Sequence, residues 1–242
     1  MPFRKMVSLA RKNFSSQVNF IHIDKTGGTA IRHALERSGT NKVIFHNHSK
    51  TLADFYEQSD EEVFFFVRDP IEKFISGFNS RKRRGFPRFN NAWTENERIA
   101  FSMFDKPNDL AEALGSEGAE FAMKNIRRVA NSLAHYLISP EMIMKMRHQI
   151  IFVGEQSCLD HDFLTLKKIL DLPEEVLLPS DPVVSHITPE GFDTQISDRA
   201  RSNLMSWYKA DFDIFKACLD LRQLILSDRA RNYRSWLSGD GI

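Results

Sequence analysis

Short, unbroken apolar runs alternate along this chain with segments of helical periodicity, and turn or capping residues close most of them. The first run, Val18 to Ile23, meets Lys-Thr-Gly-Gly-Thr, after which Ile31, Ala34 and Leu35 recur at helical spacing. That is the pattern of a buried strand, a glycine-rich turn and a helix. A second short strand, Lys42 to Phe45, runs into His46-Asn47-His48, and Leu52 to Tyr56 has helical character. Glu62 to Val67 predicts a third strand, apolar on both faces as a central parallel strand must be. Asp69-Pro70-Ile71-Glu72 then supplies helix-start chemistry: Asp69 to cap, Pro70 for the first helical position, Glu72 to complete a capping box. Ile71, Phe74, Ile75 and Phe78 form one apolar stripe, and Gly85 is a natural stop.

Phe86 to Arg147 reads as helical and irregular, with a further capping box at Thr94 and Glu97. Ile150 to Gly154 is a fourth strand, and Asp160 to Leu170, Ser197 to Tyr208 and Phe212 to Ser227 are amphipathic helices. The stripe of Trp207, Tyr208, Phe212 and Phe215 is expected to pack in the core. Strands alternating with helices predict an α/β fold. The expected form is a P-loop-like three-layer sandwich, with a central parallel sheet of about four to five strands and helices on both faces. No linker forces a split, so 18–242 reads as one domain behind a basic arm at 1–17, with a helical insert around 86–147.

Composition narrows the classes. With 242 residues, 42% of them hydrophobic, the chain has apolar mass for one sizeable core. A formal net charge of +1 steers the molecule toward neither nucleic acid nor a membrane, so attraction for an anion must be local. Two cysteines, Cys158 and Cys218, give no disulfide framework and no four-thiolate zinc site. One bridge is arithmetically possible, and two buried thiols in a reducing compartment are the plainer expectation. The apolar residues within the basic arm are too few for a signal peptide or a membrane span, which points to a cytoplasmic protein.

The chemistry starts at the first loop. Helix-start N–H groups lack internal partners, and the helix dipole adds roughly half a positive charge there, so a strand–loop–helix is a ready anion site. Gly27 and Gly28 let the backbone approach an anion; Lys25 adds a charge, and Thr26 and Thr29 add hydroxyls. Lys25 precedes both glycines, so the Walker A loop, whose lysine follows the last glycine, is not matched. The plain alternative is a glycine turn with a solvent-facing lysine. At the end of the third strand Arg68 stands where open α/β sheets bind ligands, with Ser76 off the apolar stripe of the following helix. Its plain alternative is an ion pair to Asp69 or Glu72. His46 and His48, two apart at a strand's end, are expected to leave on one face. They suit proton transfer near neutral pH; zinc chelation without a third ligand, or no role, are the alternatives. His22 is expected to be packed rather than reactive.

His22-Ile-Asp-Lys25-Thr-Gly-Gly-Thr29 resembles the 5′-phosphosulfate loop of sulfotransferases that use 3′-phosphoadenosine 5′-phosphosulfate (PAPS), nearest the heparan sulfate 2-O- and 6-O-sulfotransferases and their bacterial relatives. Arg68 with Ser76 eight residues on is similar to the same family's 3′-phosphate motif, and His46-Asn47-His48 to the His-x-His of its 2-O-sulfotransferases. The resemblance implies donor binding by Lys25, Thr26, Gly27, Gly28, Thr29, Ala30, Arg68 and Ser76, and, by a looser alignment, by Ser185. It implies His48 as the base, His46 as a supporting group, and Lys25 as the neutraliser of charge on the leaving phosphate. The reaction expected is sulfuryl transfer from PAPS to an acceptor hydroxyl, on a glycan or a glycan-like molecule, releasing 3′,5′-diphosphoadenosine (PAP). The transferred group carries less charge than a phosphoryl group, so no metal is expected. Asp24 stands where many relatives carry Pro or Gln, and its side chain is not a ligand in the family. Those eukaryotic relatives carry a Golgi membrane anchor, and this chain shows none, which suggests a bacterial cytosolic member. The rival readings are a nucleotide kinase-like phosphotransferase and a non-catalytic nucleotide-binding module. Arg81-Lys82-Arg83-Arg84 reads as a solvated helix end, or as a rim for an anionic substrate.

Overall fold

The computed structural model describes residues 17–56, 61–84, 86, 90–181 and 192–238, with side chains up to 228. Four strands form one all-parallel sheet: β1 (Val18–Ile21), β2 (Val43–Phe45), β3 (Val63–Val67) and β4 (Ile150–Glu155), in the order β2-β1-β3-β4. β1 is paired on both sides, with Phe20 beside Phe45 and Phe64. The chain moves outward from β1 to β2 and then returns to place β3 on the other side. The carboxyl ends of β1 and β3 therefore flank the crevice where such sheets bind ligands.

The alternation of β3 explains the layers. Phe64 and Phe66 pack with Phe20, Ile31 and Phe152 beneath α1 (Gly28–Arg37) and α9 (Leu159–Ile169). Val63, Phe65 and Val67 face the opposite way, into Leu133, Tyr136, Ile143 and Ile214. Those side chains come from α7 (Leu133–Leu137), α8 (Pro140–Lys145) and the long α11 (Lys209–Ser238). Burying one such side chain is worth about 1.5–3 kcal/mol, and every residue of β3 is fully buried, so both faces of the sheet must be covered. The three-layer α/β arrangement is that expected from the sequence.

A third apolar cluster joins α2 (Pro70–Lys82) to α3 (Glu95–Met103), α4 (Pro107–Glu112), α5 (Glu117–Asn125), α6 (Arg127–Ala130) and α10 (Asp198–Trp207). The short helices α3 to α8 occupy the stretch expected to be irregular and helical. Each of α3, α5, α7 and α8 is capped by a Ser or Thr, which explains why so short a set of helices forms at all. Among the described residues no helix is long and apolar enough to cross a membrane.

Four expectations are corrected. Arg81 is not part of a solvated helix end: it is 2% exposed and its guanidinium meets both carboxylate oxygens of the fully buried Glu97 at 2.6 Å. Glu72 does not complete a capping box, because its carboxylate turns to Arg68 while Asp69 alone accepts from the N–H groups of Ile71 and Glu72. Cys158 is exposed, so only Cys218 is a buried thiol, and both are free. Trp207 is exposed while Tyr208 beside it is buried. Most of the basic arm, Gly85 and Ser185 lie outside the described residues.

The Arg81–Glu97 pair ties α2 to α3, and Glu97 also accepts from the backbone N–H groups of Thr94 and Arg127. Burial pushes the Glu97 carboxyl up, but the hydrogen bonds from Arg81, Thr94 and Arg127 outweigh it and hold it at about 2. Its stabilisation is thus complete above the ordinary carboxylate range near 4.5 and is lost as pH falls toward 2. Glu97→Ala strands the Arg81 charge and is expected to cost about 3–5 kcal/mol in urea unfolding at neutral pH. A loss below about 1 kcal/mol would place this pair with exposed surface bridges.

Candidate functional site at the carboxyl edge of the sheet

Beyond Ile21 the chain makes a tight loop before α1. Lys25 has φ +66° and Gly27 φ +86°, and Gly27 caps α1 with no side-chain hydrogen bond, leaving the first helical N–H groups open toward the loop's concave side. The second glycine has a separate reason: a Cβ on Gly28 would sit 2.3 Å from the His22 ring. Thr26 is buried and donates its hydroxyl to the Ile23 carbonyl at 3.0 Å, so it braces the loop from behind. Lys25, Gly27, Gly28, Thr29 and Ala30 all line the adjoining cavity, which has a volume of about 730 Å³. That is ample for a nucleotide.

Arg68 and Ser76 line the same cavity from β3 and α2. The Arg68–Glu72 pair weighed above is present at 3.2 Å, yet Arg68 also reaches toward the Lys25 carbonyl at 3.5 Å and so bridges the two loops. Its Nε is buried and has no partner among the described residues. That N–H is closed to solvent while the side chain as a whole is 21% exposed, so an anion in the cavity would meet other parts of the guanidinium.

The structure adds a residue that the sequence reading missed. Arg128, on α6, lines the same cavity as Lys25. It gets there because α6 crosses α2 at Gly77, where a Cβ would lie 2.7 Å from the Arg128 carbonyl oxygen. Lys25 is surrounded by cations in consequence. Burial first, then the charges of Arg128, Arg83 and Arg68, draw its pKa down to about 7 against the opposing pull of Asp24. Such a cluster is under mutual repulsion until an anion enters.

His48 lines the cavity and His46 does not. The chain turns at Asn47–Ser49, with the Ser49 N–H on the Asn47 carbonyl at 2.7 Å, so the two-residue period of the strand ends between the histidines. His46 bonds through Nε2 to the Asn19 side-chain oxygen at 2.8 Å and packs edge-on to Phe55. His48 places Nδ1 2.8 Å from the His22 carbonyl and 3.4 Å from Asp24. A carbonyl only accepts, so Nδ1 carries the proton and Nε2 the free lone pair. His22 is packed as expected, its ring 4.2 Å from that of His48; burial first, and then His48, draw its pKa to about 3 and keep it neutral.

Asp24 is 3% exposed and receives hydrogen bonds from Tyr136 (3.0 Å), Asn131 (3.1 Å) and Arg128 (3.4 Å). Burial pushes its carboxyl up, but His48, Arg128 and Asn131 together bring it below its ordinary value. A carboxylate buried beside a lysine and a helix N-terminus needs partners of its own, and Asp24 has them in Tyr136, Asn131 and Arg128. Among the described residues no three His, Cys, Asp or Glu side chains are placed to share a metal ion. No family model, curated protein or solved structure matches the chain, so the resemblance stands on its short motifs and the site on its own geometry.

Proposed function

We propose that the protein is a sulfotransferase that moves a sulfuryl group from PAPS to an acceptor hydroxyl, on a glycan or a glycan-like molecule. One observation carries the reading. Lys25, Arg68 and His48, each just beyond a different strand, and Ser76 from α2 all line one cavity beside a helix N-terminus. A generic glycine turn gives no reason for that convergence.

The roles follow from charge and proton balance. The acceptor oxygen bonds to sulfur while the bond from sulfur to the 5′-phosphate oxygen breaks. The acceptor's proton passes to Nε2 of His48. Negative charge grows on the departing phosphate, where Lys25 and the amides of Gly28 and Thr29 stabilise it. Arg68, through its guanidinium, and Ser76, through its hydroxyl, hold the 3′-phosphate that distinguishes this donor from ATP. Arg128 adds a further cation to the donor side of the cavity. Sulfuryl transfer to a hydroxyl classes the product as a sulfate ester.

Titration calorimetry with PAP and ADP tests the reading directly. PAP is expected to bind at least about tenfold tighter, the worth of one charge-assisted contact. Ser76→Ala and Arg68→Ala narrow the gap while leaving ADP binding nearly unchanged. Equal affinity for the two nucleotides in the unaltered protein removes the 3′-phosphate site. Tighter, magnesium-dependent ATP binding would instead favour a kinase, and tight PAP binding without turnover on any hydroxyl acceptor a binding module.

A further inference from the structure

We propose that Asp24 is a positioning residue that holds His48 as the proton acceptor and stabilises the cation it becomes. The inference rests on the assignment of His48 as base and goes beyond it to the residue through which the base is controlled.

The geometry divides the carboxylate in two. Oδ2 is committed: it takes the Tyr136 hydroxyl at 3.0 Å and the Asn131 amide at 3.1 Å, both from the helical insert. Those bonds fix the plane of the group. Oδ1 is less fully used, with Arg128 at 3.4 Å and the Nδ1 of His48 at 3.4 Å. The His22 carbonyl, at 2.8 Å from the same Nδ1, keeps the proton on that nitrogen. Nε2 is then the only ring nitrogen that can accept.

Proton uptake at Nε2 makes the ring cationic, and its surroundings decide how costly that is. Among the described residues Asp24 is the carboxylate paired with His48, and it is buried where water screens it little. His22 lies against the His48 ring but is held neutral, so it adds no opposing charge. Arg128 and the buried Lys73 face Asp24 from α6 and α2 and hold its carboxyl ionised together with His48. The arrangement is a carboxylate, an imidazole and an open cavity in sequence, the order in which a carboxylate supports a histidine base. The acid is contributed by the anion loop itself, two residues after His22 and next to Lys25.

The test uses the full chain and Asp24→Asn, which keeps the shape and an oxygen for Tyr136. Turnover is expected to fall about 10- to 100-fold, part of what the base supplies. PAP affinity is measured alongside, because Asp24, although it does not line the cavity, pairs with Arg128 and acts on the charge of Lys25. The acid limb of turnover against pH moves down, because the ring loses its anion. The same direction is expected in the NMR titration of His48, and this readout needs no turnover. In the unaltered protein, nitrogen-15 NMR should show the Nδ1–H tautomer of His48 below half protonation, a measurement that needs no folded variant. An Nε2–H tautomer overturns the proposal, as does an unmoved His48 titration in the variant. Joint loss of PAP affinity and turnover with that titration unchanged makes Asp24 a loop brace alone. Should the protein bind PAP no better than ADP, the sulfotransferase reading fails while the NMR result still decides the Asp24–His48 pairing.

Discussion

Exchanging Lys25 for methionine is expected to lower turnover about 100- to 1000-fold, the usual loss when one stabiliser of transition-state charge is removed. Methionine keeps the length and the apolar stem, so the fold should hold. The backbone argues that this lysine is placed rather than incidental: φ +66° costs a non-glycine residue about 1–2 kcal/mol, and the fold sustains it at the edge of the cavity. Its lowered pKa adds a second, independent readout. With the cavity empty the ammonium is half deprotonated near pH 7, because burial and the neighbouring Arg128 and Arg83 disfavour the charge. A bound phosphate reverses that preference. PAP binding at pH 8 should therefore take up about one proton, and binding at pH 6 almost none, as read from calorimetry in buffers of different ionisation enthalpy. Lys25→Met abolishes the uptake. Absence of uptake at pH 8 in the unaltered protein would leave Lys25 outside the phosphate site.

His48→Ala is expected to reduce turnover about 100- to 10,000-fold with little change in PAP affinity, since a general base contributes to the chemical step alone. His48→Gln should behave alike, because an amide cannot take a proton. His46→Ala is the control. With its ring on Asn19 and Phe55, outside the cavity, it should affect stability more than turnover. Undiminished turnover in His48→Ala would send the search for the base elsewhere in the cavity. His22 would be a poor substitute, since its low pKa leaves it a weak acceptor.

The sheet was legible because its strands are short saturated apolar runs and each ends in loop or capping chemistry. The Lys25 loop and the Arg68–Ser76 spacing were legible for the same reason: local backbone geometry places them, and Asp69 caps α2 through its own neighbours. His46 was misplaced because periodicity holds only while the strand lasts, and a turn begins one residue later. Arg128, Asn131 and Tyr136 were not readable. They meet Asp24 across separations of 104 to 112 residues, and nothing local in an insert of short capped helices marks which side chain will face the loop. Arg81 shows the converse. Within a run of four basic residues Arg81 and Arg83 are both buried, and the burial of Arg81 depends on a partner 16 positions away.

The buried bridge between Arg81 and Glu97 has a mechanical consequence. It rivets the helix carrying Ser76 to the block carrying Arg128, and Trp93 adds a further tie through its indole N–H on the Arg81 carbonyl at 2.6 Å. The two walls of the cavity are then cast as one piece. Discrimination among acceptors would come from the fixed contour of that casting rather than from closure around the guest, and altering it would mean recutting the insert, not retuning a moving part.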